Sequence, residues 1–217
     1  MRPAGSLLAA VTVLTAVAGP LCAQVVESDS RSDASAAPAW EFGAALFGYF
    51  VPDDTDFALP IVTADRGPLH LEARYNYESL DTGSLFVGWN FEAGSEVEFA
   101  ATAMVGAVFG DLDAIAPGYE LSLSYRRFSL YSEGEYVVDL DDSAENFLYN
   151  WTELTYAPVD WLRVGLVAQR TRVYETGLDV QRGLLAGFSY RNAEFTVHVF
   201  NLGWEDPTIV CSLAASF

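Results

Sequence analysis

From residue 39 to the end of the chain, apolar and polar side chains alternate, and this pattern leaves few folds open. The final segment shows it most cleanly. Ile209, Cys211, Leu213, Ala215 and Phe217 share one face, and Thr208, Val210, Ser212, Ala214 and Ser216 share the other. A period of two is a strand period, because successive side chains point to opposite faces. The pattern predicts strands at 39–50, 57–65, 68–77, 83–91, 96–109, 118–126, 128–138, 146–156, 161–171, 181–190, 194–201 and 208–217. That is about twelve strands, with no helical segment between them.

The connections alternate in length. Arg66-Gly67, Glu92 to Ser95, Arg126-Arg127, Ala157 to Asp160 and Arg191 to Ala193 are short; 51–56, 78–82, 111–117, 139–145, 173–179 and 201–207 are long. Short turns at one end and long loops at the other match a transmembrane barrel. The expected fold is all-β, an antiparallel up-and-down transmembrane β-barrel over 39–217, with a soluble sandwich as the alternative. Hydrophobic residues make up 51 % of the chain, more than a soluble secreted domain needs, yet beyond the N-terminus no apolar run is long enough for a helical span.

The N-terminus reads as a targeting segment. Met1-Arg2 is a basic start, Leu7 to Val17 is apolar, Gly19-Pro20 breaks a helix, and Ala23 offers a small-residue cleavage site. Residues 1–23 therefore read as a signal peptide, with cleavage after Ala18 as the alternative. Bulky Leu21 before Cys22 argues against a lipoprotein. Residues 24–38 are rich in Ser, Ala and Asp and read as a flexible lead-in. Cys211 is then the one mature cysteine, so disulfides do not hold this fold. There is no lysine, and eleven arginines stand against thirty carboxylates; the net charge of −19 argues against nucleic acid as a partner.

A last strand ending on Phe217 resembles the terminal assembly signal of bacterial outer-membrane β-barrels, although Ala215 stands where that signal usually carries an aromatic. The strand and turn pattern over 39–217 is similar to that of small porin-like barrels. The resemblance implies an outer-membrane location in a Gram-negative bacterium. The partners it implies are the barrel-assembly machinery, outer-membrane lipid and lipopolysaccharide, with passage of a small solute or cation.

If the apolar faces meet lipid, the lumen inherits the polar set, because a charge on the lipid face costs ~2–4 kcal/mol near the midplane. Trp40, Trp89, Tyr125, Tyr156 and Tyr190 lie near strand ends, where aromatic girdles sit. Turn geometry predicts one lumenal row of Glu120, Glu133, Glu153 and Arg163, and a second of Glu72, Asn90 and Glu98 with Arg74 one step further in. Glu135, Tyr131, Tyr149 and Trp151 share that face. Two readings stand: a cation-attracting pore lining, or an internal network of Arg and Glu that plugs the barrel. The aromatics either stack sugar rings or fill space.

Half of the carboxylates, Glu78 among them, fall in the long connections, with Arg172 their one basic companion. Asp139 to Asp142 with Glu145 is the densest run. It lacks the spacing of a calcium loop and reads as a solvated acidic face. Arg170 and Arg182 share parity with lipid-facing residues. A loop centred on Thr176 would set them opposite each other at the outer rim with Arg172 above, a group suited to lipopolysaccharide phosphates. The alternative is snorkelling, or a bulge that turns them inward.

No catalytic residues are expected. An outer-membrane acyl hydrolase needs a serine two residues after a histidine, and Glu72 and Phe200 follow His70 and His198 at that spacing. Two histidines and one cysteine also argue against a transition-metal site, and no cofactor is expected.

Overall fold

The computed structural model describes residues 38–52, 54–141, 143, 146–171, 180–203 and 206–217. The expected signal peptide and nearly all of the lead-in lie outside the described residues. Twelve strands follow in chain order: β1 Glu41–Phe50, β2 Phe57–Arg66, β3 Leu69–Tyr75, β4 Thr82–Gly94, β5 Val97–Gly110 and β6 Ala114–Tyr125 make the first half. The second half is β7 Phe128–Asp139, β8 Phe147–Val159, β9 Leu162–Arg170, β10 Gln181–Tyr190, β11 Ala193–Phe200 and β12 Ile209–Ser216. Each strand pairs antiparallel with its chain neighbours, and β1 pairs with β12, so the sheet closes.

Tight turns set the register at one end of the barrel. Arg126-Arg127 holds Tyr125 against Phe128, as the sequence predicts, and Arg191-Asn192 holds Tyr190 against Ala193. Each turn opens on a residue with positive φ, at 57° for Gly67 and 58° for both Arg126 and Arg191. That conformation matches the right-handed twist of the flanking strands.

Three details depart from the expectation. β6 begins at Ala114 rather than 118, because alternation runs on through Ala114, Ile115 and Ala116. Pairing with β7 is interrupted at Ala116 and Pro117, where proline has no N–H to donate. β8 runs to Val159 and turns at Asp160-Trp161 instead of after Tyr156, which places Val167 rather than Arg163 opposite Glu153; a bulge between Tyr156 and Val159 corrects the register by one residue. Between β7 and β8, Glu133 faces Trp151 and Tyr131 faces Glu153, a shift of two residues from the predicted row. A shift of two leaves every side chain on its predicted face.

The outer surface is a belt of exposed Leu46, Val62, Leu85, Val105, Leu154, Leu166, Leu184 and Leu213, among others. A soluble sandwich would bury such residues between its sheets, and an apolar surface of this extent suits lipid. Trp40, Trp89, Tyr125, Phe128, Tyr156, Trp161 and Tyr190 are exposed around the end with the short turns. They form the aromatic girdle of that interface.

The seam extends one residue beyond β12. Phe42 and Phe217 exchange both backbone hydrogen bonds at 2.9 Å, and their rings stack at 6.3 Å. Each bond stabilises by about 1 kcal/mol. Deleting Phe217 removes both bonds and the stack at the point of closure. The expected outcome is a smaller heat-modifiable, membrane-assembled fraction on electrophoresis of isolated membranes; undiminished yield would show that the seam closes without it.

Candidate functional site

Inward-facing residues divide the lumen into a charged flank and an apolar flank. On the charged flank, Arg74 of β3 is held between two rings, its guanidinium carbon 4.0 Å from the Tyr77 centroid and 4.3 Å from that of Phe86. Its Nε donates to Glu72 Oε1 at 2.6 Å and its Nη1 to Glu135 Oε2 at 3.2 Å. His70 lies between Asp65 (Nδ1 to Oδ1, 2.8 Å) and Glu72 (Nε2 to Oε2, 3.2 Å). Asn90 donates to Asp65 and accepts from Thr102. Three phenols donate to one carboxylate: Tyr77 at 2.6 Å, Tyr131 at 2.5 Å and Tyr149 at 3.2 Å, all to Glu133.

A second network lies across β8, β9 and β11. Arg163 donates to Glu153 Oε2 at 2.6 Å, to Glu194 Oε1 at 2.8 Å and to Thr196 at 3.1 Å. Glu153 Oε1 also receives Trp151 Nε1 at 3.0 Å and lies 2.9 Å from His198 Nε2. The apolar flank completes the filling. Phe47 and Trp151 meet edge to face, and Trp151 and Phe200 pack at 5.5 Å, beside buried Leu59, Ile61 and Val210.

Glu72, Arg74, Glu120, Glu133, Glu135, Trp151, Glu153 and Arg163 are all buried on the inner face. Glu120 stands opposite Glu133, the pairing the Arg126-Arg127 turn predicts, and its Oε2 has no hydrogen-bond partner. Arg163 reaches Glu153 diagonally rather than from the opposite position. Glu98 departs from the expectation. It is exposed beside the β4–β5 turn, between Gly94 and Ser124, while Glu72 faces Phe86. The predicted Glu72–Asn90–Glu98 row does not form, because both strands run on to a turn at Gly94, leaving Glu98 four residues beyond Thr102.

Sequence reasoning did not assign Asp65, His70, Glu194 and His198 to the site, although their parity puts them inside. It also left the apolar flank unassigned. The available signal was in 41–50, where Phe42, Leu46 and Phe50 alternate with Ala45, Phe47 and Tyr49, so both faces are apolar. Glu78 departs from its expected place in a solvated crown: it folds inward and is only 1 % exposed. Burial pushes its pKa up, and nearby Arg74 opposes that rise. Asp53, Asp142, Glu145, Glu175, Asp179 and Glu205 lie outside the described residues. Among the described residues, no group of three or more His, Cys, Asp or Glu side chains is arranged to hold a metal ion.

Arg170 and Arg182 are exposed on the outer face. They are not opposite each other, since Arg182 faces Ala168. The register of β9 and β10, with Gln181 opposite Gln169, offsets the two arginines by two residues. Arg172 lies outside the described residues.

No protein-family model matches the sequence, and no curated protein matches it. Solved structures do. The KdgM porin superposes with a TM-score of 0.59 at 10 % identity, over 81 % of this chain and 99 % of that one. The KdgM porin in complex with disordered oligogalacturonate superposes at 0.53 and 8 % identity, over 82 % and 98 %. The fold is that of an outer-membrane porin. At such identity the likeness is one of architecture, and the apolar belt and girdle are those of a barrel that spans a membrane.

Two predictions follow from the charged flank. Arg74→Gln leaves Glu72 and Glu135 buried without their cation and is expected to cost about 3–5 kcal/mol, read from urea unfolding in detergent by tryptophan fluorescence. Adding Glu72→Gln and Glu135→Gln should recover most of that loss. Glu78 holds its proton more tightly folded than unfolded, so stability falls as pH rises from the unfolded carboxyl pKa through the folded one. Glu78→Gln should flatten that part of the pH profile and stabilise the barrel at pH 8; an unchanged profile would mean Glu78 does not titrate on unfolding.

Proposed function

We propose that this porin-fold barrel is a narrow channel for cations or small neutral solutes. One observation carries the reading. Among the described residues, eight buried carboxylates, Asp65, Glu72, Glu78, Glu120, Glu133, Glu135, Glu153 and Glu194, face two guanidiniums and two imidazoles. A lumen with surplus negative charge and low-dielectric walls favours cations over anions. Oligogalacturonate, bound in one of the solved neighbours, is a polyanion, and this wall would repel it. Glu133 and Glu153 hold the centres of the two networks and are the selective groups in this reading. Arg74 and Arg163 limit the surplus, and Trp151 sets the width on the apolar side. No catalytic role belongs to the reading, since Glu72 and Phe200, rather than a serine, stand two residues after His70 and His198. Assembly through Phe217 by the barrel-assembly machinery belongs to it.

A second reading is favoured by the filling itself. Phe47, Trp151 and Phe200 pack across the interior, and the Arg163 network ties β8 to β9 and β11. On that reading the barrel is closed and structural, its lumen plugged by Glu and Arg, and it acts through its outer loops or contacts with lipopolysaccharide.

Planar-bilayer recording separates the two. A channel gives small unitary steps and a cation-selective reversal potential in a salt gradient, and Glu133→Gln with Glu153→Gln moves that potential toward zero. Silence in the parent barrel, with conductance appearing only in Phe47→Ala/Trp151→Ala, supports the closed barrel. Anion preference overturns the acidic-channel reading.

A further inference from the structure

Polar side chains on the lipid face of a barrel are costly, and here they gather in one sector. Tyr119 of β6, Ser132 of β7, and Asn150 and Thr152 of β8 share parity with the exposed apolar belt. They form one connected network. Asn150 Nδ2 donates to Tyr119 Oη at 3.1 Å, Tyr119 Oη lies 3.3 Å from Ser132 Oγ, Ser132 Oγ lies 3.0 Å from Thr152 Oγ1, and Thr152 donates to Asn150 Oδ1 at 3.2 Å. Gly134 makes room for it. A Cβ there would stand 2.9 Å from the Tyr119 ring and 3.2 Å from Asn150 Nδ2.

The network leads to two arginines. Along the pairing direction Gly134 faces Asn150, and Asn150 faces Arg170. One row away, Ser132 faces Thr152, Thr152 faces Ala168, and Ala168 faces Arg182. Because the strands are tilted, these rows climb toward the end with the long loops, where β9 ends and β10 begins. The other described arginines are engaged. Arg66 bonds Pro38 O, Arg127 bonds Ala157 O and Pro158 O, Arg126 and Arg191 lie over Tyr125 and Tyr190, and Arg74 and Arg163 lie in the lumen. Among the described residues, the Arg170 and Arg182 guanidiniums have no hydrogen-bond or ion-pair partner.

We propose that the β6–β10 sector binds a phosphate-bearing lipid of the outer leaflet, its phosphate held by Arg170 and Arg182. Guanidinium groups meet phosphate oxygens with two parallel donors, and long arginine stems reach from the apolar belt to the headgroup level. The adjoining network shortens the apolar band in this sector, so a polar headgroup can settle lower there than elsewhere around the barrel. Charge complementarity is the deciding argument. In a chain of net charge −19, outward-facing cations without a partner are where an anionic headgroup meets attraction. The site is independent of whether the lumen conducts.

The test uses the folded barrel in detergent, with diphosphoryl lipid A and the same lipid stripped of phosphate as probes. Native mass spectrometry should show diphosphoryl lipid A retained by the parent protein. Retention should fall at least tenfold in Arg170→Gln/Arg182→Gln and remain unchanged in Arg126→Gln/Arg191→Gln. Heat-modifiable mobility confirms that each variant is folded, since all four side chains lie on the surface or in turns. Equal retention by Arg170→Gln/Arg182→Gln, or equal binding of the phosphate-free lipid, overturns the proposal. So does a parent dimer that Asn150→Leu/Thr152→Val dissolves without changing lipid retention, because the sector would then serve a second copy of the chain.

Discussion

The pairing of β1 with β12 is the interaction on which everything else depends. In hydrocarbon no water satisfies a bare N–H or C=O, so a spanning sheet must leave no edge. Eight residues of each strand pair across this seam, and Phe42 with Phe217 extends it by one more exchange of hydrogen bonds. Closure then forces the side chains into two populations. Those facing out must be apolar or mutually satisfied, and those facing in share one narrow interior.

The interior of the twelve strands is lined by side chains in two chemically different ways. β1, β2 and β12 contribute Phe47, Tyr49, Leu59, Ile61 and Val210, which pack as in a soluble core. The rest of the wall contributes carboxylates that stay buried because cations, phenols and an indole meet them. Glu133 accepts from three tyrosines, and Glu153 from Arg163 and Trp151. Removing one partner from such a network leaves a charge without compensation, whereas replacing whole groups by neutral ones costs far less. The interior is therefore tolerant of concerted change and intolerant of single truncations.

How far the site was legible follows from which interactions are local. The face of each residue is a property of a strand alone, so Glu72, Glu133 and Glu153 could be placed inside by counting. Neighbours across a two-residue turn were equally accessible, which is why Glu120 beside Glu133 follows from Arg126-Arg127. Where a turn was wider than two residues in the sequence reading, the register slipped. The extension of β8 to a turn after Val159 displaced Arg163 from its expected position opposite Glu153, and the length of β4 and β5 carried Glu98 out to the rim. Contacts across the lumen lay beyond such counting. Arg74 with Glu135 and His198 with Glu153 join strands that are not neighbours in the sheet.

By itself, the sequence determined the strand number, the period, the two ends of the barrel and the side of the wall on which nearly every described side chain lies. These follow from alternation and turn length, which act within a few residues. Only the tertiary structure decided the register beyond the tight turns, the inward fold of Glu78, the filling of the lumen and the meeting of Tyr119, Ser132, Asn150 and Thr152 on the outer wall. Those depend on shear and curvature accumulated around a closed sheet, where a shift of two residues at one hairpin changes every partner beyond it while leaving the faces untouched.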